Sequence, residues 1–230
     1  MFTYLLVVLE YKRACCTHTL SFIIMTHHEW LAPFTCVISG PTGSGKSVFV
    51  QRLLKHARTV VEPPPDRILY CYGAYQQMFS EMEGVEFNEG LPSLDEFDGK
   101  RRTLVVIDDL MHETNEVVTK LFTRVSHHTN TCVIFITQNL FNNDKETRTI
   151  TLNAQYLVLF KNVRDKSQIA HLARQMYPGK SKHMIESYTD ATSEPYSYLF
   201  VDLMPSTDDK HRLKACIFPD DKHNYVYVSK

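Results

Sequence analysis

Val37-Ile-Ser-Gly-Pro-Thr-Gly-Ser-Gly-Lys-Ser-Val-Phe-Val50 decides how the rest of this chain is read. A mostly apolar run, Thr35 to Ser39, ends at Gly40, and after four residues come Gly45, Lys46 and Ser47. Gly-x-x-x-x-Gly-Lys-Ser is the phosphate-binding loop pattern when a strand precedes it and a helix follows. The residue types supply the mechanics. Gly40, Gly43 and Gly45 lack a Cβ, so the backbone can curl and turn its N–H groups inward as an anion nest. Pro41, Thr42 and Ser44 fill the loop between them. A helix beginning near Gly45 aims its N-terminal dipole and free N–H groups at the same point. Lys46 adds a mobile charge for the outer phosphates, and the Ser47 hydroxyl suits Mg²⁺. Downstream, Phe49, Val50, Leu53, Leu54 and Ala57 share one face at the 3.6-residue period.

A second signal lies at Thr103 to Asp109. Thr103 to Ile107 is a nearly continuous apolar strand, and Asp108-Asp109 ends it. A strand buried on both faces that delivers acids at its C-terminal end suits a parallel-sheet nucleotide site. Asp108 is expected to hold Mg²⁺, directly or through water, and Asp109 to orient or deprotonate the attacking water. The plain alternative is a solvated acidic turn. Thr131 to Thr137 reads as another buried strand, with Gln138-Asn139 at its end. Gln138 either contacts the γ-phosphate or positions water, or it satisfies loop backbone.

The remaining chain alternates strand and helix. Arg67 to Tyr72 reads as a strand, Tyr75 to Glu83 as a short helix, and Glu86 to Lys100 as an acidic, turn-rich loop. Thr114 to Ser126 is a helix, and Asn142 to Arg148 a polar loop. Ile150, Leu152 and Tyr156 to Phe160 read as one strand, then Asp165 to Met176 and Lys182 to Tyr188 as helices parted by Pro178-Gly179. Tyr198 to Leu203 and Leu213 to Phe218 are late strands, with Tyr225 to Val228 an edge strand. The expected fold is a three-layer α/β phosphate-loop domain over 33–230, its sheet mainly parallel with C-terminal antiparallel strands.

At 230 residues one domain is the default. The formal net charge of −1 gives no global bias toward nucleic acid, so any DNA contact needs a local basic strip. Six cysteines show no metal spacing, which points to a reducing compartment and not to secretion. The apolar run Leu5 to Leu9 is too short for a membrane span and has no basic residue before it. Residues 1–32 are expected to be an N-terminal extension outside the core fold, with 1 to about 24 appended or mis-started.

The chain resembles the genome-packaging ATPases of the FtsK–HerA superfamily, of the small type found in poxvirus-like viruses, adintoviruses and Polinton (Maverick) elements. The matching segments are Phe34 to Ser47, Val106 to Leu110, Val133 to Phe141 and Arg148 to Asn162, with Arg164-Asp165, Leu172 to Gln175 and Tyr177 to Gly179 after them. The resemblance implies the additional-strand (ASCE, RecA-like) core, in which the strand ending at Gln138 lies between the phosphate-loop strand and the Asp108 strand. It implies ATP and Mg²⁺ as cofactors, and catalysis by Lys46, Asp108, Asp109 and Gln138. It implies a homo-oligomeric ring that threads double-stranded DNA into a capsid or portal-like vertex, in a virion or in the host nucleus or cytoplasm. Ring ATPases usually take an arginine finger from the neighbouring subunit. Arg148 and Arg164, flanking the family-specific strand, and Arg124 are the candidates. Lys100 to Arg102 and Lys161 to Lys166 are candidate DNA contacts. Two other readings stay open. A nucleoside or nucleotide kinase shares the loop, although Asp165 to Lys182 lacks a convincing lid pattern. An inactive nucleotide-binding remnant of a viral gene would keep the fold without turnover.

Overall fold

A computed structural model of the chain describes residues 5–11, 20–25, 28–108, 110, 115–141 and 145–229. The first half runs β1 (Leu5–Tyr11), β2 (Leu20–Met25), β3 (Trp30–Leu31), β4 (Thr35–Ser39), α1 (Lys46–Val60), β5 (Val61–Glu62), β6 (Arg67–Tyr72), β7 (Glu86–Glu89) and β8 (Thr103–Asp108). The second runs α2 (Asn115–Lys120), a π turn (Leu121–Val125), α3 (Ser126–His128), β9 (Thr131–Thr137), α4 (Lys145–Leu152), β10 (Tyr156–Phe160), α5 (Ser167–Met176), α6 (Ser181–Ala191), β11 (Tyr198–Asp202), β12 (Leu213–Ala215) and β13 (Asn224–Val228). An 11-stranded sheet has the order β1-β2-β13-β12-β11-β10-β4-β9-β8-β6-β7. From β10 to β7 every neighbouring pair is parallel. From β10 out to β1 every pair is antiparallel. The central run β10 to β7 is the expected parallel P-loop NTPase sheet, with β9 between β4 and β8, and the antiparallel half joins the expected C-terminal strands to the N-terminal β1 and β2.

Strand alternation divides the core into two layers. Cys36 and Ile38 of β4, Leu104 and Val106 of β8 and Ile134 and Ile136 of β9 pack with Phe49, Val50, Leu53, Leu54 and Ala57 of α1. Val37, Val105, Ile107, Val133 and Phe135 pack on the other face with Val118 and Phe122, Ile169 and Leu172 of α5, and Met184 of α6. Both faces of the central strands are covered, which is why those strands read as unbroken apolar runs. Each fully buried Leu or Phe of α1 contributes about 1.5–3 kcal/mol.

Several expectations need correction. Residues 145–152 form α4, where the sequence read as polar loop running into strand. Thr147, Ile150 and Thr151 are the buried positions, a helical spacing diluted by threonines. Glu86 to Glu89 is not loop: β7 pairs in parallel with β6, and its acids tolerate the edge because one side meets solvent. The short helix near Tyr75 to Glu83 is a 3₁₀ turn, Gln77–Glu81. β13 is not an edge, since β2 pairs with it from Asn224↔Met25 to Val228↔Ser21. The expected boundary after residue 32 has no counterpart in the packing. Trp30 is fully buried against Phe34, Tyr156 and Phe200, each ring 5.0 Å away by centroid. Lys214 of β12, ion-paired with Asp202 at 2.9 Å, also lies 3.2 Å from His28 Nδ1. Residues 28–31 therefore belong to the core, and β1 and β2 prolong the sheet.

Candidate functional site

The site lies where the parallel strands end together. Ser39 stands opposite Thr137 across β4–β9, and Asp108 opposite Ile136 across β8–β9. Gly40, Gln138 and Asp108 thus reach one edge of the sheet, as does Phe160 at the end of β10. Gly40 N–H donates to the Thr137 carbonyl at 3.3 Å, which stitches the loop's start to the end of β9.

The loop itself is built for close backbone approach. Gly43 and Gly45 have φ of +76° and +106°, left-handed backbone in which a Cβ is strained. Gly40 is needed for space: a Cβ there would lie 2.6 Å from Phe160 Cβ and 2.7 Å from Ser44 Oγ. Gly45 precedes the first helical residue, and Phe49 N–H donates back to its carbonyl at 2.9 Å. Lys46 Nζ donates to the carbonyls of Gly40 at 2.6 Å and Pro41 at 3.0 Å. The ammonium is therefore held against the loop at the mouth of α1. Ser44 Oγ is buried and has no hydrogen-bond partner among the described residues, so the loop holds a polar atom that a ligand could satisfy. Thr42 and Gly43 are exposed at the tip, and Pro41 and Ser47 are partly buried.

Asp108 is 6% exposed and lies on the α1 face of the sheet, because its strand neighbours of the same parity, Leu104 and Val106, do. Tyr70 of β6 donates its hydroxyl to Asp108 Oδ2 at 2.7 Å. Burial, followed by the Asp108 charge, pushes the Tyr70 phenol far above its usual range, so it remains a donor. Sequence reasoning missed Tyr70, and no local signal marks it: a strand tyrosine pointing inward looks like any core aromatic. Asp109 lies outside the described residues.

Gln138 is exposed just past β9, whose even-numbered residues Ile134 and Ile136 face α1. Its loop is fixed from below. Gln168 of α5 accepts from Leu140 N–H at 3.0 Å and donates to Asp165 Oδ2 at 2.8 Å. Tyr188 of α6 donates to the Phe160 carbonyl and accepts from Asn162 N–H, both at 2.9 Å. These ties cross the fold and have no sequence signature. The Asn162 turn does: its Oδ1 accepts from the N–H groups of Arg164 and Asp165 at 3.0 and 3.1 Å.

The arginine candidates are not brought together. Arg124, Arg148 and Arg164 are all exposed and make no ion pair among the described residues. Arg164 follows β10 at the site end of the sheet, Arg148 lies on α4, and Arg124 lies in the π turn. Of the two basic strips, 100–102 precedes β8 at the opposite end from the phosphate loop. There Lys100 pairs with Asp98 at 3.2 Å and Arg102 with Asp66 at 2.6 Å. Lys161, Arg164 and Lys166 are exposed at the site end.

Among solved structures, the genome packaging NTPase B204 from Sulfolobus turreted icosahedral virus 2, determined in complex with ATP-gammaS, matches at a TM-score of 0.52 and 12% identity. The match covers 79% of this chain and 95% of that one. The chain has the P-loop NTPase fold. The Legionella pneumophila ATPase DotB overlaps at 12% identity over 82% of this chain and 70% of its own, at a TM-score of 0.38. No family model and no curated protein sequence matches the chain. No described helix is long and apolar enough to cross a membrane, and no group of three metal-ligating side chains occurs among the described residues.

Proposed function

We propose that the chain is an ATP-hydrolysing motor that moves double-stranded DNA, working as a homo-oligomeric ring at a capsid or portal-like vertex. The observation that carries this reading is the strand order β4-β9-β8, which sets Gln138 and Asp108 beside a complete phosphate loop. A fold shared with a viral genome packaging NTPase supports it.

The residues fit a Mg²⁺–triphosphate. The loop offers the left-handed backbone of Gly43 and Gly45, the Ser44 hydroxyl and the Lys46 ammonium, while Ser47 and Asp108 offer hard oxygen donors of the kind Mg²⁺ takes. Mg²⁺ would neutralise charge on the β- and γ-phosphates. Lys46 exchanges its two loop carbonyls for phosphate oxygens. Tyr70 holds one Asp108 oxygen, fixing the direction of the other. Gln138 holds the attacking water against the γ-phosphorus, and Asp109 takes its proton as the bond to the β–γ bridging oxygen breaks. ADP and inorganic phosphate leave. An arginine from the neighbouring subunit, Arg148 or Arg164 before Arg124, would add charge in the transition state. Lys161 to Lys166 is the strip placed to meet DNA phosphates, sequence-independently and with strong salt dependence.

The test is the ATPase rate with and without double-stranded DNA across a salt series. Stimulation that fades with salt is expected. Lys46→Ala weakens ATP binding, whereas Asp109→Asn binds ATP and stops turnover, a loss of at least about 10²-fold. Both variants hydrolysing ATP like the parent would sink the assignment. Phosphorylated product from added nucleosides or monophosphates would move the chain to the kinases. Tight ATP binding without turnover in any DNA or salt condition would make it an inactive remnant.

A further inference from the structure

Tyr196 stands against the phosphate loop on the side away from Asp108. A Cβ placed on Gly45 would lie 3.0 Å from Tyr196 Cβ and 3.2 Å from its ring carbon Cδ1. Tyr196 as a residue nevertheless remains 69% exposed, so one flank of its side chain meets the loop while most of it faces outward. Its backbone is unusual. Ser197 N–H and Oγ both donate to the Glu194 carbonyl, at 3.3 and 2.7 Å, closing a turn with Pro195 and Tyr196 at its centre. Tyr196 has φ +62°, where a turn with proline first ordinarily takes glycine or asparagine second. A tyrosine there costs of order 1 kcal/mol in backbone strain. Such strain is kept where the ring has a use or is locked by its surroundings. The turn is anchored from beneath, since Tyr198 packs edge-on to Phe49 of α1 at 4.7 Å and beside Phe160 at 5.8 Å.

Topology gives the direction. β9 and β8, with Gln138 and Asp108, lie on one side of β4, while β10 and β11 lie on the other. A triphosphate laid across the mouth of α1 with its γ end toward Gln138 sends its nucleoside toward β10 and β11. Tyr196 precedes β11 at that end, because Tyr198 pairs with Phe160. We propose that Tyr196 is the stacking platform for the nucleobase of the bound nucleoside triphosphate. Gly45 then has two reasons to be glycine: its own positive φ, and room for Tyr196. This inference rests on the phosphate-loop reading above.

The test compares ATP with inorganic tripolyphosphate, both with Mg²⁺, by calorimetric titration of the full chain. Tyr196→Gly suits the positive φ, so its melting temperature should equal or exceed the parent's. It should lose about tenfold in ATP affinity, within the range for one base–aromatic stack, and bind tripolyphosphate unchanged. Tyr196→Phe and Tyr196→Trp should keep ATP affinity. If Tyr196→Gly binds ATP like the parent, or weakens ATP and tripolyphosphate equally, the platform is disproved. The second result would make Tyr196 a prop for the loop. Lys46→Ala should weaken both ligands. If it binds both like the parent, the phosphate-loop reading fails whatever Tyr196 does. A parent chain that binds neither ligand overturns both readings.

Discussion

Tyr70 and Asp108 meet in a buried hydrogen bond at the end of β8. Asp108 is buried at the end of β8, and a buried carboxylate is expensive unless something donates to it. The Tyr70 hydroxyl donates at 2.7 Å. Tyr70→Phe keeps the ring and removes the donor. Hydrogen bonds to charged groups are worth about 1.5–3 kcal/mol, so the variant should lose about that much unfolding free energy in a denaturant titration. If Asp108 acts as proposed, ATP turnover should fall about tenfold and need more Mg²⁺ to saturate. Unchanged stability together with an unchanged Mg²⁺ dependence would show that Tyr70 does not position Asp108. Asp108 itself is legible in the sequence because an apolar strand that stops at an acid is a local pattern. Tyr70 is not, because its role exists only once β6 pairs with β8 and Tyr72 falls opposite Asp108.

At the scale of elements, Trp30 ties the segment before the phosphate-loop strand into the core. It sits in the short β3, paired with β5, and its indole is enclosed by His28, Phe34, Tyr156 and Phe200. Those partners come from β10, β11 and the segments around β3. Trp30→Ala should therefore cost about 3–5 kcal/mol, read as a drop in the unfolding midpoint. A midpoint within error of the parent would return residues 28–31 to a dispensable extension. The sequence suggested such an extension because Met1 to Trp30 lacks the strand–helix rhythm of the rest. What rhythm cannot convey is that one large aromatic fills a gap between distant strands. α4 teaches the complementary lesson. Thr147 and Thr151 occupy buried helix positions where apolar residues would have announced the period, and Thr151 Oγ1 satisfies itself on the Leu140 and Thr147 carbonyls at 3.1 and 2.9 Å.

Across the whole molecule, burial on both sheet faces leaves an alkaline signature. Desolvation raises the thiols of Cys36, Cys71 and Cys132, the latter two to about 12, and raises the phenols of Tyr70, Tyr156 and Tyr198. Unfolding returns them to ordinary values, 9.0 for the thiols and 10.0 for the phenols. Above about pH 9 the folded chain binds more protons than the unfolded one, so stability is fully present below that pH and falls as pH rises. Lys214 acts oppositely, because burial lowers its ammonium from 10.5, but among the described residues it stands against these six groups and the likewise raised phenols of Tyr177 and Tyr188. Guanidinium midpoints should be lower at pH 10.5 than at pH 7.5 by the sign of this linkage. An equal or higher midpoint at pH 10.5 would contradict it.

Local chemistry along the chain is legible before any folding. It gave the phosphate loop, because glycines, lysine and serine must stand at fixed spacing to curl around an anion. It gave the buried parallel strands, because covering both faces demands apolar runs, and it gave the acid and amide that end two of them. Whatever depends on which strands are neighbours emerges only on folding. The order β11-β10-β4-β9-β8 puts Gln138 and Asp108 on one flank of Lys46 and Tyr196 on the other. The pairing of β6 with β8 brings Tyr70 to Asp108, and β10 and β11 together enclose Trp30. Those pairings join residues far apart in the chain. Their cause is the hydrogen-bonded register of the sheet, which no window along the sequence contains.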